Sequence, residues 1–178
     1  QADASLRFVF LTGVTKFSQV SVFSGFNQPL DISMTEKFEA LCGITEEELH
    51  TQFAEPIRKM AESDGCTEED IRQKLKRHYD GYHFSKNMAD IYNPFSLLNA
   101  FYNNDVRDYW FTSGTPSYLI RLMNHFHEGI DELTNKFYLP DEFINYKADV
   151  EYPLPMIYQS GYLTIKDYDK ESNLFLLD

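Results

Sequence analysis

Close to its start the chain carries Phe8-Val-Phe-Leu11, an unbroken apolar run bounded by Thr12-Gly13. A run of this kind suits a strand buried on both faces, as in a parallel sheet flanked by helices. Parallel strands reach their partners through crossover connections, and no other segment reads as a second such strand. The opening is therefore expected to be one of the last strands of a larger α/β core. The sequence is expected to be a piece of a longer protein.

A chain of 178 residues is long enough for one full core or one and a half smaller ones. Its 43% hydrophobic and 16% aromatic content excludes disorder as the default, since those rings need burial. A net charge of −12 argues against a surface devoted to gripping a phosphate backbone, which needs clustered Lys and Arg. Only Cys42 and Cys66 carry thiols and nothing resembles a signal peptide, so a reduced, cytoplasmic setting is the simple expectation. The longest apolar runs fall far short of the ~20 residues that a membrane span needs, and no membrane partner is expected.

From Met34 the pattern turns helical. Thr35 is placed to cap a helix holding Phe38, Leu41 and Cys42, with Gly43 as its stop. Thr45 followed by Glu46, Glu47 and Glu48 is a second start, with Leu49, Phe53, Ile57 and Met60 at helical spacing. Pro56 predicts two pieces meeting near Ala54-Glu55. Thr67 with Glu68, Glu69 and Asp70 repeats the signal, putting Ile71, Leu75, His78 and Tyr79 on one face and a stop at Asp80-Gly81. Asn93-Pro94 opens a helix burying Leu97, Leu98 and Phe101; Thr115-Pro116 opens another with Leu119, Leu122, Met123 and Phe126 as its stripe. Leu154 to Gln159 reads as a short helix ending at Ser160-Gly161. Tyr162 to Tyr168 and Asn173 to Leu177 then read as a hairpin around the polar turn Asp169-Lys-Glu-Ser172. Helix, glycine, hairpin is the layout of a winged-helix unit.

The fold class expected is mainly α with minor β, an α+β chain. Residues 1–33 would end a larger α/β core, 34–146 form a helical subdomain, and 147–178 form the winged-helix-like segment.

Chemistry is sparse. No GxxxxGK[ST] motif occurs, so nothing here binds triphosphate by the usual P-loop mechanism unaided. Thr12 and Lys16 follow the apolar run, where the carboxyl ends of strands face a ligand crevice; alternatively Thr12 caps a turn and Lys16 is solvated. Gly114-Thr115-Pro116 reads either as a bare surface that lets a planar base or an anion approach, or as an ordinary capped helix start. Asp80-Gly-Tyr-His-Phe84 joins a carboxylate and a histidine suited to acid–base work, but no nucleophile accompanies them. The plainer expectation is a turn that packs Tyr82 and Phe84 while His83 caps a carbonyl. His125 and His127 lie two apart on a helix and point away from each other, a poor metal geometry. Trp110 is expected as a core or interface anchor. No catalytic residue and no metal ligand are assigned.

Several spaced motifs, taken in order, carry a resemblance: Phe10-Leu-Thr-Gly-Val-Thr-Lys-Phe-Ser18, Leu30-Asp-Ile-Ser33, Tyr79-Asp-Gly-Tyr-His-Phe84, Tyr92-Asn-Pro-Phe-Ser-Leu-Leu98, Tyr109-Trp-Phe-Thr-Ser-Gly-Thr-Pro116 and Tyr158-Gln-Ser-Gly-Tyr-Leu-Thr-Ile165. The chain resembles the AAA-ATPase-like proteins common in gut Bacteroides and related bacteria. The resemblance implies a parent with an N-terminal P-loop core that binds ATP and Mg, and often a C-terminal PD-(D/E)XK nuclease-like domain. This chain has neither end. It further implies that Thr12 takes the sensor-1 position with Lys16 nearby, and that Gly114, Thr115 and Pro116 form the lid element under the adenine. No arginine finger or second sensor is placed; Arg121 and Arg58 are candidates only.

Three functions compete. One is the lid and winged-helix part of an AAA-like ATPase, inactive alone, with the rest of the parent chain as its partner. The second is a helical module that recognises a protein or peptide. The third, disfavoured by the acidic balance, is nucleic-acid binding through the winged helix.

Overall fold

Two threonine-capped helices organise the first half of the structure. The computed structural model describes residues 7–13, 30–110, 130–145 and 152–178. Helix α1 (Glu46–Gln52) opens with a reciprocal box, the Thr45 Oγ1 accepting from the Glu48 N–H and the Glu48 Oε2 accepting from the Thr45 N–H at 2.9 Å. After Phe53 the chain re-enters helix as α2 (Ala54–Asp64), with Pro56 in its first turn, where the missing N–H does no harm. Helix α3 (Glu68–Tyr79) repeats the box with Thr67 and Asp70. Helix α4 (Pro94–Asn103) is capped by the Asn93 Oδ1, which accepts from the Ser96 N–H at 2.9 Å. The starts of α1, α3 and α4 follow from local polar chemistry that satisfies otherwise orphaned amides, whereas α2 has no side-chain cap at Phe53.

These helices share one core. Leu49, Ile57, Met60, Ile71, Leu75, Tyr79, Leu97 and Ala100 are buried together, and Phe53 stacks on Phe101 at its margin. A two-stranded antiparallel ribbon, β1 (Ile44–Thr45) and β2 (Ile91–Tyr92), ties the entrance of α1 to the entrance of α4. Gly43 permits this closure. A Cβ there would sit 1.9 Å from the Ile91 Cγ2, closer than any side chain tolerates.

A second core lies in the C-terminal half. Strand β3 (Lys136–Tyr138), helices α5 (Pro140–Ile144) and α6 (Leu154–Gln159), and strands β4 (Ile165–Asp169) and β5 (Leu174–Leu177) follow in order. The sheet is antiparallel throughout with strand order β3-β5-β4, and the β4–β5 register shifts between Ile165 and Asp167. Phe143, Leu154, Ile157, Leu163, Ile165, Phe175 and Leu177 fill the space between sheet and helices. The expected helix, glycine and hairpin are all present, with Leu163 and Ile165 both buried. The chain is an α+β protein with a helical lobe and a smaller helix-and-sheet lobe.

Four local expectations need correction. The helix predicted from Thr35 is a single 3-10 turn over Glu36–Phe38, and the Thr35 side chain caps nothing. Leu41 is exposed, and the segment must leave helix early so that Gly43 can meet Ile91. Leu98 is half exposed, because Ser96, Leu97 and Ala100 take the inward face of α4 instead. His78 points outward, its Nδ1 2.8 Å from the Lys74 carbonyl oxygen, while Tyr79 takes the buried place. Phe8 to Leu11 form no strand and are exposed, since no described strand lies alongside to pair with them.

Truncating Leu75, fully buried on α3, to alanine is expected to cost about 2–5 kcal/mol of stability. Thr67→Ala should cost only about 1 kcal/mol, the worth of an N-cap. Gly43→Ala should cost about 1–3 kcal/mol through overpacking against Ile91. Urea unfolding followed by circular dichroism ranks the three, and an unperturbed Gly43→Ala would contradict the close approach.

Candidate functional site

The richest polar constellation gathers around Lys76, in the last turn of α3. Its ammonium lies 3.6 Å from the Glu46 Oε2 at the start of α1, 3.5 Å from the Asp80 Oδ2 at the end of its own helix, and 3.9 Å from the Asp90 Oδ2 just before β2. Three carboxylates from three elements thus meet one cation. The Tyr92 hydroxyl joins by donating to the Glu46 Oε2 at 2.5 Å, and His50 reaches the other Glu46 oxygen at 3.1 Å.

The members of this cluster are held differently. Burial works to raise the Glu46 carboxyl, but the Tyr92 hydrogen bond, the Lys76 ammonium and His50 outweigh it and hold the group below its ordinary range. Glu46 in turn raises Lys76, against the opposing effect of burial, with Asp80 and Asp90 adding to the rise. Asp80 differs because its side chain is only 5% exposed. Burial pushes its carboxyl up, and repulsion from Asp90 adds to this; the Gly81 backbone amide and Lys76 offset only part of the rise. The Tyr92 hydroxyl is pushed up by burial and by its bond to Glu46, so it remains a donor.

One step along the chain, His83 joins the helical lobe to the sheet lobe. Its Nε2 lies 2.8 Å from the Asp90 Oδ1, and its Nδ1 2.6 Å from the Ile165 carbonyl oxygen. Both ring nitrogens face oxygen acceptors. The His83 N–H donates to the Thr164 Oγ1 at 3.0 Å, and that hydroxyl donates to the Gly81 carbonyl at 3.2 Å. Beside this seam Tyr82 bridges in antiparallel fashion to Ile91 and stacks with Phe84. Trp110 packs edge-on against Tyr162 at 4.8 Å. Gly161, at φ +79°, leaves room for both Trp110 and Tyr82.

The expected turn at Asp80 to Phe84 is therefore present, and His83 does bond a carbonyl. Its carboxylate partner is Asp90 rather than Asp80. Asp90 and Thr164 left no signal in the sequence, because the contacts depend on how two lobes meet. Lys76 and Asp80 were accessible from their i, i+4 spacing. Glu46, read as a helix-start acid, serves both the α1 terminus and the cluster. Of the residues assigned to a nucleotide face, Thr12 lies on the exposed, irregular segment 7–13. Lys16, Gly114, Thr115 and Pro116 lie outside the described residues, as do His125, His127 and Arg121. Arg58 is exposed on α2. Among the described residues no group of three or more His, Cys, Asp or Glu side chains is arranged to hold a metal ion. No helix among them is long and apolar enough to cross a membrane.

Comparison with known proteins finds similarity to an "uncharacterized protein in vnfD 5'region" of Azotobacter chroococcum mcd 1. The two are 36% identical over 167 residues, covering 92% of this chain and 30% of that protein. The chain thus spans about 30% of the length of the curated relative it matches. No protein-family model matches the chain, and no solved structure matches it.

The opposite displacements of Glu46 and Asp80 give opposite pH signatures. A carboxyl held low in the fold adds stability above its unfolded value, about 4, and that stability is lost as pH falls through the folded value. A carboxyl held high binds its proton more tightly when folded, so its cost to stability appears as pH rises from about 4 through the raised value. Asp80→Asn should therefore gain stability relative to the parent as pH rises from about 4 towards neutrality, while Glu46→Gln should lose it. Urea titrations across that range check both signs, and parallel curves for parent and Asp80→Asn would contradict the buried charge.

Proposed function

We propose that this chain is the lid and winged-helix part of an AAA-like ATPase, contributing nucleotide sensing and conformational coupling rather than catalysis of its own. The observation that carries this reading is the chain order of the two lobes. Among the described residues a capped helical bundle is followed in chain order by a strand, two short helices and a hairpin, with β3 completing the hairpin into a three-stranded sheet. That layout is winged-helix-like, and a helical lid followed by such a unit is what the resembled proteins lead one to expect. ATP and Mg are then held by the P-loop core of the parent chain. Thr12 and Lys16 stand at the sensor position, and Gly114, Thr115 and Pro116 approach the base. Closure of the lid over nucleotide would carry the sheet lobe with it.

A second reading has one observation in its favour. On α4 the side chains of Phe95, Leu98 and Tyr102 are exposed at i, i+3 and i+7 spacing, an apolar stripe of the kind that a recognition helix presents. Under this reading the chain is a helical protein-interaction module with no nucleotide role.

Isothermal titration tests the lid assignment at the simplest level. Residues 1–178 alone should show negligible ATP affinity, and tight ATP binding by this chain would overturn the lid assignment. In a longer protein that contains this chain and a P-loop core, Thr12→Ala should slow ATP turnover roughly tenfold, a loss of about 1.4 kcal/mol in the transition state. Leu98→Asp should leave turnover unchanged. The reverse pattern, with turnover insensitive to Thr12 and partner capture lost with Leu98, favours the interaction module.

A further inference from the structure

The two lobes have separate cores. Ile57, Leu75 and Leu97 fill one, Phe143, Ile157 and Leu177 the other, and among the described residues no buried side chain belongs to both. The extensive element-to-element packing lies within the lobes, α2 against α3 and α4 in one, α5 against α6 and β5 between its neighbours in the other. Among the described residues the lobes meet through Met34 and Met88, which pack against the second core, through Trp110 against Tyr162, and through a short polar seam. Three hydrogen bonds from the single residue His83, to Asp90 on its own side and to Thr164 and Ile165 across the seam, coincide with the Thr164 bond back to Gly81. Mutually supporting hydrogen bonds of this kind are made or lost together. A hinge between packed units needs such a joint, because interfaces of packed elements switch between discrete arrangements rather than deform.

We propose that the Asp80–Phe84 turn is a latch between the lobes, with His83 as the positioning residue that holds the helix-and-sheet lobe in its present orientation. Asp90 orients the imidazole from the helical side. Lys76 in turn orients Asp90, so the charged cluster on α3 is the fixed anchor of the latch. Thr164 reads the turn from the far side through its hydroxyl, accepting from one residue of the turn and donating to another. When the latch opens, the helix-and-sheet lobe turns about this point while each lobe keeps its own core. This inference is independent of the nucleotide reading, since it concerns only how the two lobes are joined.

Trp110 is the only tryptophan in the sequence and sits in this seam against Tyr162, so its fluorescence reports on the latch directly. In the 178-residue chain, His83→Ala and Thr164→Val are each expected to shift Trp110 emission to the red and increase its quenching by acrylamide, with far-UV circular dichroism retained. The double variant should change no further than the stronger single one, because both remove the same joint. Asp90→Ala, which leaves the ring in place but unanchored, should move the signal in the same direction by less. Unchanged quenching in the folded variants overturns the latch, as do independent, additive effects of His83 and Thr164. Loss of far-UV signal in all three single variants also overturns it, since the two lobes would then be one cooperative core. An unchanged signal here combined with absent ATP binding would sink the latch alone and leave the lid assignment standing.

Discussion

The entrance of α4 and the segment around Arg107 take their position from the way α3 ends at Tyr79. The ring is buried in the first core, its hydroxyl donates to the Arg107 carbonyl and accepts from the Arg107 amide, and its own carbonyl accepts from the Asn93 N–H at 2.8 Å. One residue thereby fixes the exit of α3, the entrance of α4 and the segment that leads to Trp110. Asp80 and His83 follow within four residues, so the polar seam inherits its geometry from that anchor. Lys76 lies one turn earlier on the same helix, which is why its ammonium can reach carboxylates contributed by three different elements.

Charge and packing divide the work in this arrangement. The cluster around Lys76 is mostly half-exposed, and exposed ion pairs add little to stability. Its value is geometric, because it keeps Asp90 and Glu46 in place for His83 and Tyr92. The apolar cores supply the stability of each lobe, and the short polar joint bears on their relative placement together with the Trp110–Tyr162 contact and the packing of Met34 and Met88 on the second core. A protein that must move one lobe against another needs that separation, whichever partner drives the movement.

What could be read from the sequence was local. The caps at Thr45, Thr67 and Asn93 were visible because the partner lies three residues away, and the break before Pro56 because proline carries its own constraint. The α6 helix and its hairpin were visible from Gly161 and from the alternation after Tyr162. Thr35 misled because the same cap signal was overruled by the close approach of Gly43 to Ile91, a contact between residues 48 positions apart. Leu98 misled because hydrophobicity does not say which of several apolar positions faces inward. The short strands β1, β2 and β3 went unseen, since two or three residues carry no period and their pairing is decided by tertiary packing. The Asp90–His83–Ile165 chain is of the same kind, and a sequence offers only its central member.

The sheet of the smaller lobe has a further property that follows from its order. Strands β3 and β4 are its two edges among the described residues, and a sheet edge can pair with another chain. Strand β4 carries Lys166, Asp167 and Asp169 along its length and a break in register beside Ile165, and β3 begins with Lys136. Stacking a second copy on β4 would oppose like charges and meet a bent backbone. The hairpin is thus built to stay a single unit in a crowded solution, free to turn with its lobe without being captured by its neighbours.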